Sequence, residues 1–337
     1  MARTRSVRIS ILKDLLIGQL SERKFVSGDR FPSARTIASN HKVSYQTAHR
    51  ILEELETEGY IERRSGSGSY VPGHPDAAAG NLREIRLIMS SRARRPHSFG
   101  ARLLAGLADQ LRRLDLRWQF QWAESMENCG GTPDEDGFPV LWEAPDCMEY
   151  CRSHSLRALI LNDRPAPGLD ATLLDSVSLD DFFGGCCAAE MLQRASPGKR
   201  DFAVISGPDD LKSNDRVGGF RSRIPRAAII PAGGWYLEHG LAVARRALQI
   251  GKSGIFCVND RLAEAVVICA TENGLQRPPL VGFDNAPIAT DLNLSTIAIP
   301  WEEMAADAAN IIERRINRDT SAARRRLITP QPILRQM

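Results

Sequence analysis

The sequence predicts an α/β protein in two parts, a small helical head ending in a β-hairpin and a larger doubly wound body. Three observations carry that reading. Up to about residue 60, apolar residues recur at i, i+3, i+4 and i+7, the period of a buried helix face. Beyond residue 84, short apolar runs alternate with amphipathic stretches, the pattern of a parallel sheet covered by helices. Between them lies "PGHPDAAAGNLRE", rich in Pro, Gly, Ala and polar residues, which reads as a linker. The chain has 337 residues, enough for roughly two or three domains. The expected boundaries are a head over 1–72, a linker over 73–83 and a body over 84–337.

In the head, "ISILKDLLIGQL" places Ile11, Leu12, Leu15, Leu16 and Leu20 on one helical face. "PSARTIASNH" is a second short helix with Ser33 as its N-cap, and "HKV" is a tight turn. The third helix starts at Ser44, buries Ala48, Ile51, Leu52 and Leu55, and stops at Gly59. Its opposite face carries Gln46, His49, Arg50 and Glu53. "YIERR" and "SYVP" then read as two strands around a Gly-Ser turn. The stretch "RRSGSGSYV" has the composition of a phosphate-cradling loop, but such a loop follows a strand and opens a helix. Here a helix precedes it, and Pro72 and Gly73 end the unit. Two helices, a turn, a third helix and a basic hairpin make a winged helix-turn-helix.

The run "SGDRFPSARTIASNHKVSYQTAHRILEELETEGYIERRSGSGSYV" resembles the DNA-binding domain of the GntR family of bacterial regulators. The matching positions are Gly28, Pro32, Ser33, Arg35, Ala38, Val43, Ser44, Thr47, Leu55, Gly59, Gly66, Gly68 and Val71. The resemblance implies double-stranded operator DNA as partner, with Gly66 and Gly68 at a wing tip that meets phosphate or the minor groove. It also implies DNA contacts at Arg35, Ser44, Tyr45, Gln46, Thr47 and His49, to which the exposed face adds Arg50 and the wing adds Arg64. Gln can bond adenine bidentately, and Arg can meet guanine or phosphate. A helix start such as Ser44 can offer hydroxyl and free N–H groups to phosphate. Many family members carry Arg where this chain has Tyr45 and His49, so the family's base preference does not transfer.

Charge is unevenly placed. The net charge is +3, but twelve Lys/Arg against eight Asp/Glu up to Val71 give the head +4 and leave −1 for the rest. A basic head on a near-neutral body fits a polyanion partner for the head alone. No apolar run reaches membrane-span length and no signal-peptide core opens the chain, so a cytoplasmic location is expected. Seven cysteines, an odd number in a long chain, do not form a disulfide framework. Cys147, Cys151 and His154 in "CMEYCRSH" sit at helical spacing, but no second ligand pair lies nearby and no metal site is expected. Cys186 and Cys187 read as core residues of a helix.

In the body the expected strands are "IRLIMSS", "WQFQWAE", "LRALILND", "DFAVISG", "AAIIPAG", "SGIFCVND" and "PPLVGFD". The expected helices are "FGARLLAGLADQLRRLD", "GGCCAAEMLQRA", "YLEHGLAVARRALQI", "RLAEAVVICATENG" and "EEMAADAANIIERRI". The stretch "SMENCGGTPDEDGFPVLWEAPD" has no periodicity and reads as a long loop or a frayed edge. "SGIFCVNDRLAEAVVICATENG" followed by "PPLVGFDNAPIA" resembles the effector-binding domain of the LacI family, itself similar to periplasmic sugar-binding proteins. So do "VSLDDFFGGCCAAEML", "SNDRVGGF" and "LSTIAIPWEEMAADAANIIERRI". The resemblance implies a two-lobed, periplasmic-binding-protein-like doubly wound α/β body with three crossovers. It implies homodimers, and a small-molecule effector of carbohydrate type held in a cleft at strand C-termini. Carried over by residue, the effector-binding positions are Arg216, Trp235, Asn259 and Asp284, with Phe99 (beside Ser91 and His97) from the first lobe. The bland alternatives are Arg216 paired with Asp215, Asp260 capping a helix and Trp235 in the core.

The function expected from this pairing is a ligand-responsive transcriptional regulator, a repressor, with no cofactor. The alternative is a sugar-binding sensor whose DNA binding is vestigial. An aminotransferase body would need a Schiff-base lysine in a cofactor motif, and Lys199, Lys212 and Lys252 sit in none. A hydrolase or dehydrogenase body would need a G-x-S-x-G elbow or a G-x-G-x-x-G turn, and neither occurs.

Overall fold

The structure, a computed structural model, describes residues 12–13, 15–16, 29–57, 60–64, 67–71, 84–90, 99–123, 125–129, 131–134, 137–165 and 173–335. The expected linker over 73–83 lies outside them. The chain divides into two units, Met1–Ser178 with Trp301–Arg326, and Leu179–Pro300 with Leu327–Met337, so it passes between them three times.

The first unit begins with the head. Strand β1 (Arg30–Phe31) leads to α1 (Ala34–His41), whose cap is Ser33: its hydroxyl accepts from the Thr36 N–H. Lys42 closes α1 at φ 52°, the left-handed geometry of a C-terminal stop. Then come α2 (Tyr45–Thr57) and the hairpin of β2 (Glu62–Arg64) and β3 (Gly68–Tyr70), with β3 between β1 and β2. Leu12, Leu16, Phe31, Ile37, Ala48, Ile51, Leu52, Leu55, Tyr60 and Ile61 form one core. Leu15, expected on that face, is instead 46% exposed. Gly68 has φ +126°, and a Cβ there would lie 3.1 Å from Arg30 Nε, so the wing turn needs glycine.

The rest of the first unit is a six-stranded sheet in the order β14-β8-β7-β6-β4-β5. Its members are β4 (Glu84–Met89), β5 (Trp118–Trp122), β6 (Gly137–Trp142), β7 (Ala158–Leu161), β8 (Leu174–Leu179) and β14 (Arg325–Ile328). Strand β6 corrects the sequence reading, for it lies inside the stretch expected to be a loop. Pro139 masked it, since proline is foreign to central strands. Pro139 pairs only toward β4, opposite Arg86, and the register with β7 begins at Val140, so its missing N–H breaks no ladder bond there. Helices α3 (Phe99–Arg113) and α10 (Trp301–Ile316) pack together, Gly106 against Ala305, while α4 (Pro145–Ser153) follows β6. The head touches this part of its own unit: the Tyr60 and Trp122 ring centroids are 5.8 Å apart. Arg112 Nε also donates to Glu62 over 3.3 Å.

The second unit holds a sheet in the order β10-β9-β11-β12-β13-β15, parallel except for the β13–β15 pair. In chain order its elements are α5 (Asp181–Ala195), β9 (Ala203–Ser206), α6 (Leu211–Arg223), β10 (Ala228–Pro231), α7 (Leu237–Gln249) and β11 (Ile255–Cys257). They continue with α8 (Asp260–Glu272), β12 (Leu280–Asp284), α9 (Pro287–Asp291), β13 (Ser295–Ala298) and β15 (Gln331–Ile333). Strands β1, β8, β13, β14 and β15 and helices α6 and α9 are additions to the elements read from sequence. Helix α6 escaped because its buried positions are Ser213, Arg216, Gly219 and Phe220, which make almost no apolar stripe.

A buried ion pair closes the first unit. Arg315 Nε and Nη2 donate to the two oxygens of Asp175 over 2.7 and 2.8 Å, and Arg315 Nη1 donates to the carbonyls of Asp319 and Ser321. Asp175 also accepts the Arg324 N–H. Asp175→Ala is expected to destabilise the chain by about 3–5 kcal/mol, because it strands a buried guanidinium. Urea unfolding checks this; a loss under about 1 kcal/mol would show that the pair carries little.

Candidate functional site

In the head, the apolar stripe of α2 faces inward and leaves Gln46 and Arg50 exposed, with Tyr45 53% exposed. Ser44 caps the helix, its Oγ accepting the Thr47 N–H over 3.1 Å and lying 2.8 Å from Thr47 Oγ1. The expected contact residues are mostly held by neighbours. Arg50 Nε donates to Glu54 over 3.0 Å. His49 stands between Arg63, 3.2 Å from its Nε2, and Glu53, 3.4 Å from its Nδ1. Arg64 donates to Glu62 and places its guanidinium 4.6 Å from the Tyr70 ring. Arg35 is exposed on α1. Gly66 lies outside the described residues. These surface pairs are weak in water, so each arginine can exchange a carboxylate for a phosphate oxygen. Gln46→Ala is expected to relax preference at one operator position, whereas Arg64→Ala should weaken all duplexes alike and lower the salt slope by about one. Titrations at several salt concentrations separate the two, and equal losses on specific and random DNA for Gln46→Ala would refute its assignment.

In the second unit, the strand C-termini gather a cluster around Arg216. Its Nε donates to Asp181 over 2.7 Å, and its Nη1 donates to the Val258 carbonyl over 2.6 Å and to Asp284 over 3.2 Å. Asp215, its neighbour in sequence, is not the partner. The guanidinium carbon lies 3.7 Å from the Phe283 ring centroid and 5.5 Å from that of Trp235. Burial is the largest influence on Arg216 and opposes its charge, but Asp181, Asp284 and Asp210 outweigh it and hold its pKa above the ordinary value. The cation is thus permanent. Two glycines set this geometry by letting α5 and α6 touch: a Cβ on Gly185 would fall 2.1 Å from the Arg216 carbonyl oxygen, and one on Gly219 would fall 1.8 Å from that of Phe182.

The other expected positions divide. Asp284 ends β12 at φ 102°, in the left-handed region, with 25% of its side chain exposed. Trp235 Nε1 donates to Asp210 over 3.0 Å, and the ring covers Gly207. Asn259 is the N-cap of α8, its Oδ1 accepting the Leu262 N–H while Nδ2 donates to the Trp235 carbonyl. Of the two amide hydrogens of Asn259, the Trp235 carbonyl takes one. Phe99 opens α3 in the first unit, and Ser91 and His97 lie outside the described residues. Asp181, Asp210 and Asp260 were not singled out as ligand-site residues in sequence. The available signal was an aspartate within a few residues of a strand's C-terminal end, as in "VSLDD", "ISGPDD" and "CVND". Cys147 and Cys151 point into a core with Cys129, while His154 stacks on Tyr150 with centroids 3.9 Å apart, so the three do not converge.

Asp260 is wholly buried and accepts the Thr296 hydroxyl and the Ala286 N–H, each over 2.7 Å. Burial first, and then the Asp284 charge, push its pKa up to about 8, against the pull of those two donors. An unperturbed aspartate titrates near pH ~4. Between these values the native chain holds a proton that the unfolded chain lacks, so stability falls as pH rises through the window. Thermal unfolding from pH 5 to 8 should show the wild-type midpoint dropping relative to Asp260→Asn. Parallel curves would refute the shift.

Comparison with known proteins agrees with this architecture. Residues 10–71 match the gntR family of bacterial regulatory proteins, and 193–336 match the periplasmic binding protein-like domain. The chain is 25% identical over 333 residues to the arabinose metabolism transcriptional repressor of Geobacillus stearothermophilus, covering 89% of each. Over 163 residues it is 26% identical to the transcriptional repressor PurR of Vibrio parahaemolyticus, covering 44% of this chain and 48% of that one. A ribose-bound LacI family regulator from Enterococcus faecium matches in fold with TM-score 0.64 at 19% identity, over 75% of this chain and 97% of that one. The CelR–cellobiose complex matches with TM-score 0.66 at 18% identity, over 90% and 99%.

Head and body together define a DNA-binding transcriptional regulator with a ligand-binding domain. Specifically, the chain joins a GntR-type winged head to a periplasmic-binding-protein-like body, the arrangement of the arabinose repressor to which it is similar.

Proposed function

We propose that the chain is a repressor that binds a pseudo-palindromic operator as a homodimer and changes its grip when a small carbohydrate occupies the Arg216–Asp284 site. It acts in the cytoplasm and is not an enzyme. Residues 1–72 contact DNA, 73–83 link, and 84–337 hold the effector and pair the protomers. A twofold dimer sets two heads on matched half-sites, and effector coupling of the usual size is about 1–3 kcal/mol.

The observation that carries the ligand half is the donor–acceptor pair at the strand ends. Arg216 Nη2 has no acceptor among the described residues, and a quarter of the Asp284 side chain faces solvent. Adjacent hydroxyls of a sugar match one donor and one acceptor so placed, and the Trp235 and Phe283 rings supply an apolar wall. Similar solved structures carry ribose and cellobiose, so sugars head the list of effectors.

A thermal-shift screen of pentoses, hexoses and disaccharides finds the effector, since a ligand that binds only the native state raises the melting temperature. Fluorescence anisotropy on a duplex selected from a random pool then reads operator binding. Asp284→Ala should hold the duplex with wild-type affinity and lose effector affinity roughly 5- to 150-fold, the equivalent of about 1–3 kcal/mol. Release at the wild-type effector concentration would place the site elsewhere. A selection that enriches no duplex would favour the sensor reading instead.

A further inference from the structure

The corner after β12 has an unusual backbone. Asp284 at φ 102° and Asn285 at φ 49° are consecutive non-glycine residues in the left-handed region, where a side chain is disfavoured and the surroundings must hold it. Three side chains from three places do so. Asp260, at the start of α8, accepts the Ala286 N–H over 2.7 Å. Thr296 of β13 donates its hydroxyl to Asp260 over 2.7 Å and accepts the Asn285 N–H over 3.3 Å. Arg335, beyond β15, donates from Nη2 to Asn285 Oδ1 over 2.9 Å and from Nη1 to the Leu294 carbonyl over 2.7 Å. Gly282 leaves room for the arrangement, since a Cβ there would lie 2.1 Å from Asp260 Oδ1.

We infer that Asp260, with Thr296, is a positioning residue for the ligand site: it holds the Asp284–Asn285 corner in its left-handed form and so sets where the Asp284 carboxylate stands on Arg216. The inference rests on the effector reading only for what Asp284 serves. The geometry itself runs from a wholly buried carboxylate through one amide and one hydroxyl to the corner, and from the corner to a buried guanidinium. Among the described residues, the charged or titratable groups that act on Asp260 or lie one step from it are Asp284 at the end of β12, Cys257 on β11, Arg335, and beyond Asp284 the Arg216–Asp181 pair. A neutral Asp260 leaves Asp284 as the single carboxylate of the corner, whereas an ionised Asp260 sets a second negative charge beneath it. The position of Asp284 on Arg216 therefore responds to the protonation of Asp260.

The test uses the full chain without effector or DNA. Asn285 and Ala286 amides and the Arg216 Nε–H are followed by ¹H–¹⁵N NMR from pH 6 to 9, with hydrogen exchange on the same amides. In the wild type, the two amides and the Arg216 signal should move together through one midpoint. Asp260→Asn mimics the protonated acid, with Oδ1 for Ala286 and Nδ2 for Thr296, so its signals should stay fixed across the range. Asp260→Ala and Thr296→Val should exchange the corner amides on the order of tenfold faster, and Thr296→Ser should restore slow exchange. If Asp260→Ala does not fold, the Thr296 pair carries the test alone. An Arg216 signal that titrates identically in Asp260→Asn, or corner amides equally protected in Thr296→Val, would overturn the inference and leave Asp260 a core residue. A misplaced effector site gives a different result: the corner responds as expected, but no sugar in the screen raises the melting temperature.

Discussion

A guanidinium buried at the strand ends of the second unit is the constraint around which that unit is organised. Moving an isolated cation out of water is prohibitive unless charge and hydrogen bonds offset it. Arg216 meets that condition with two carboxylates and a carbonyl drawn from α5, β12 and the residue that follows β11. The requirement propagates outward. Asp181 must open α5, so β8 must end just before it. Helices α5 and α6 must touch, so Gly185 and Gly219 cannot carry a side chain. Lysine would not replace Arg216, since the guanidinium donates from separate nitrogens, Nε toward Asp181 and Nη1 toward Val258 and Asp284, whereas an ammonium donates from a single point. The first unit repeats the device with Arg315 and Asp175, where the ion pair ties the returning segment to β8.

Much of the fold was legible in the sequence because its stripes are apolar. The α2 face and the strands "ALIL" and "IFC" are buried as their periods indicate. What stayed hidden was of two kinds. Strand β6 was obscured by Gly137 and Pro139, whose local preferences are overridden by pairing on one edge only. Helix α6 was obscured because it buries a glycine, a serine and an arginine, and no apolar pattern records a helix that packs through its backbone. The proposed ligand site was legible only in part. Arg216 and Asp284 could be matched to motifs, but the partners that fix them, Asp181, Asp260, Thr296 and Arg335, lie up to 154 positions apart in sequence. Spacing alone cannot assemble them.

The head shows a different economy. Three of its described arginines are already engaged: Arg50 with Glu54, Arg63 with Glu56 and His49, Arg64 with Glu62. Binding DNA therefore exchanges existing ion pairs for new ones, and the net gain per contact is smaller than the count of arginines suggests. Gln46, exposed on α2, stands outside those pairs, which is why the proposed reading gives it the sequence discrimination. Glu62, only 11% exposed in its side chain and shared between Arg64 and Arg112, joins this charge pattern to the sheet-bearing part of the same unit.

The division of the chain has a consequence in time. The second unit is spliced into the first, so β8 is made long before the α10 helix that completes its surroundings, and Asp175 waits for Arg315, 140 residues later. At a synthesis rate of about 5–20 residues per second, that carboxylate spends roughly 7 to 28 seconds without its partner on the ribosome. Most of the second unit can gather its sheet within this interval, while the first holds an open edge where β14 will pair. Non-local closure of this kind is slow and exposes unpaired strand to neighbours. Newly made chains are thus most vulnerable to aggregation at the first unit, and the last element to arrive there governs when the molecule becomes safe.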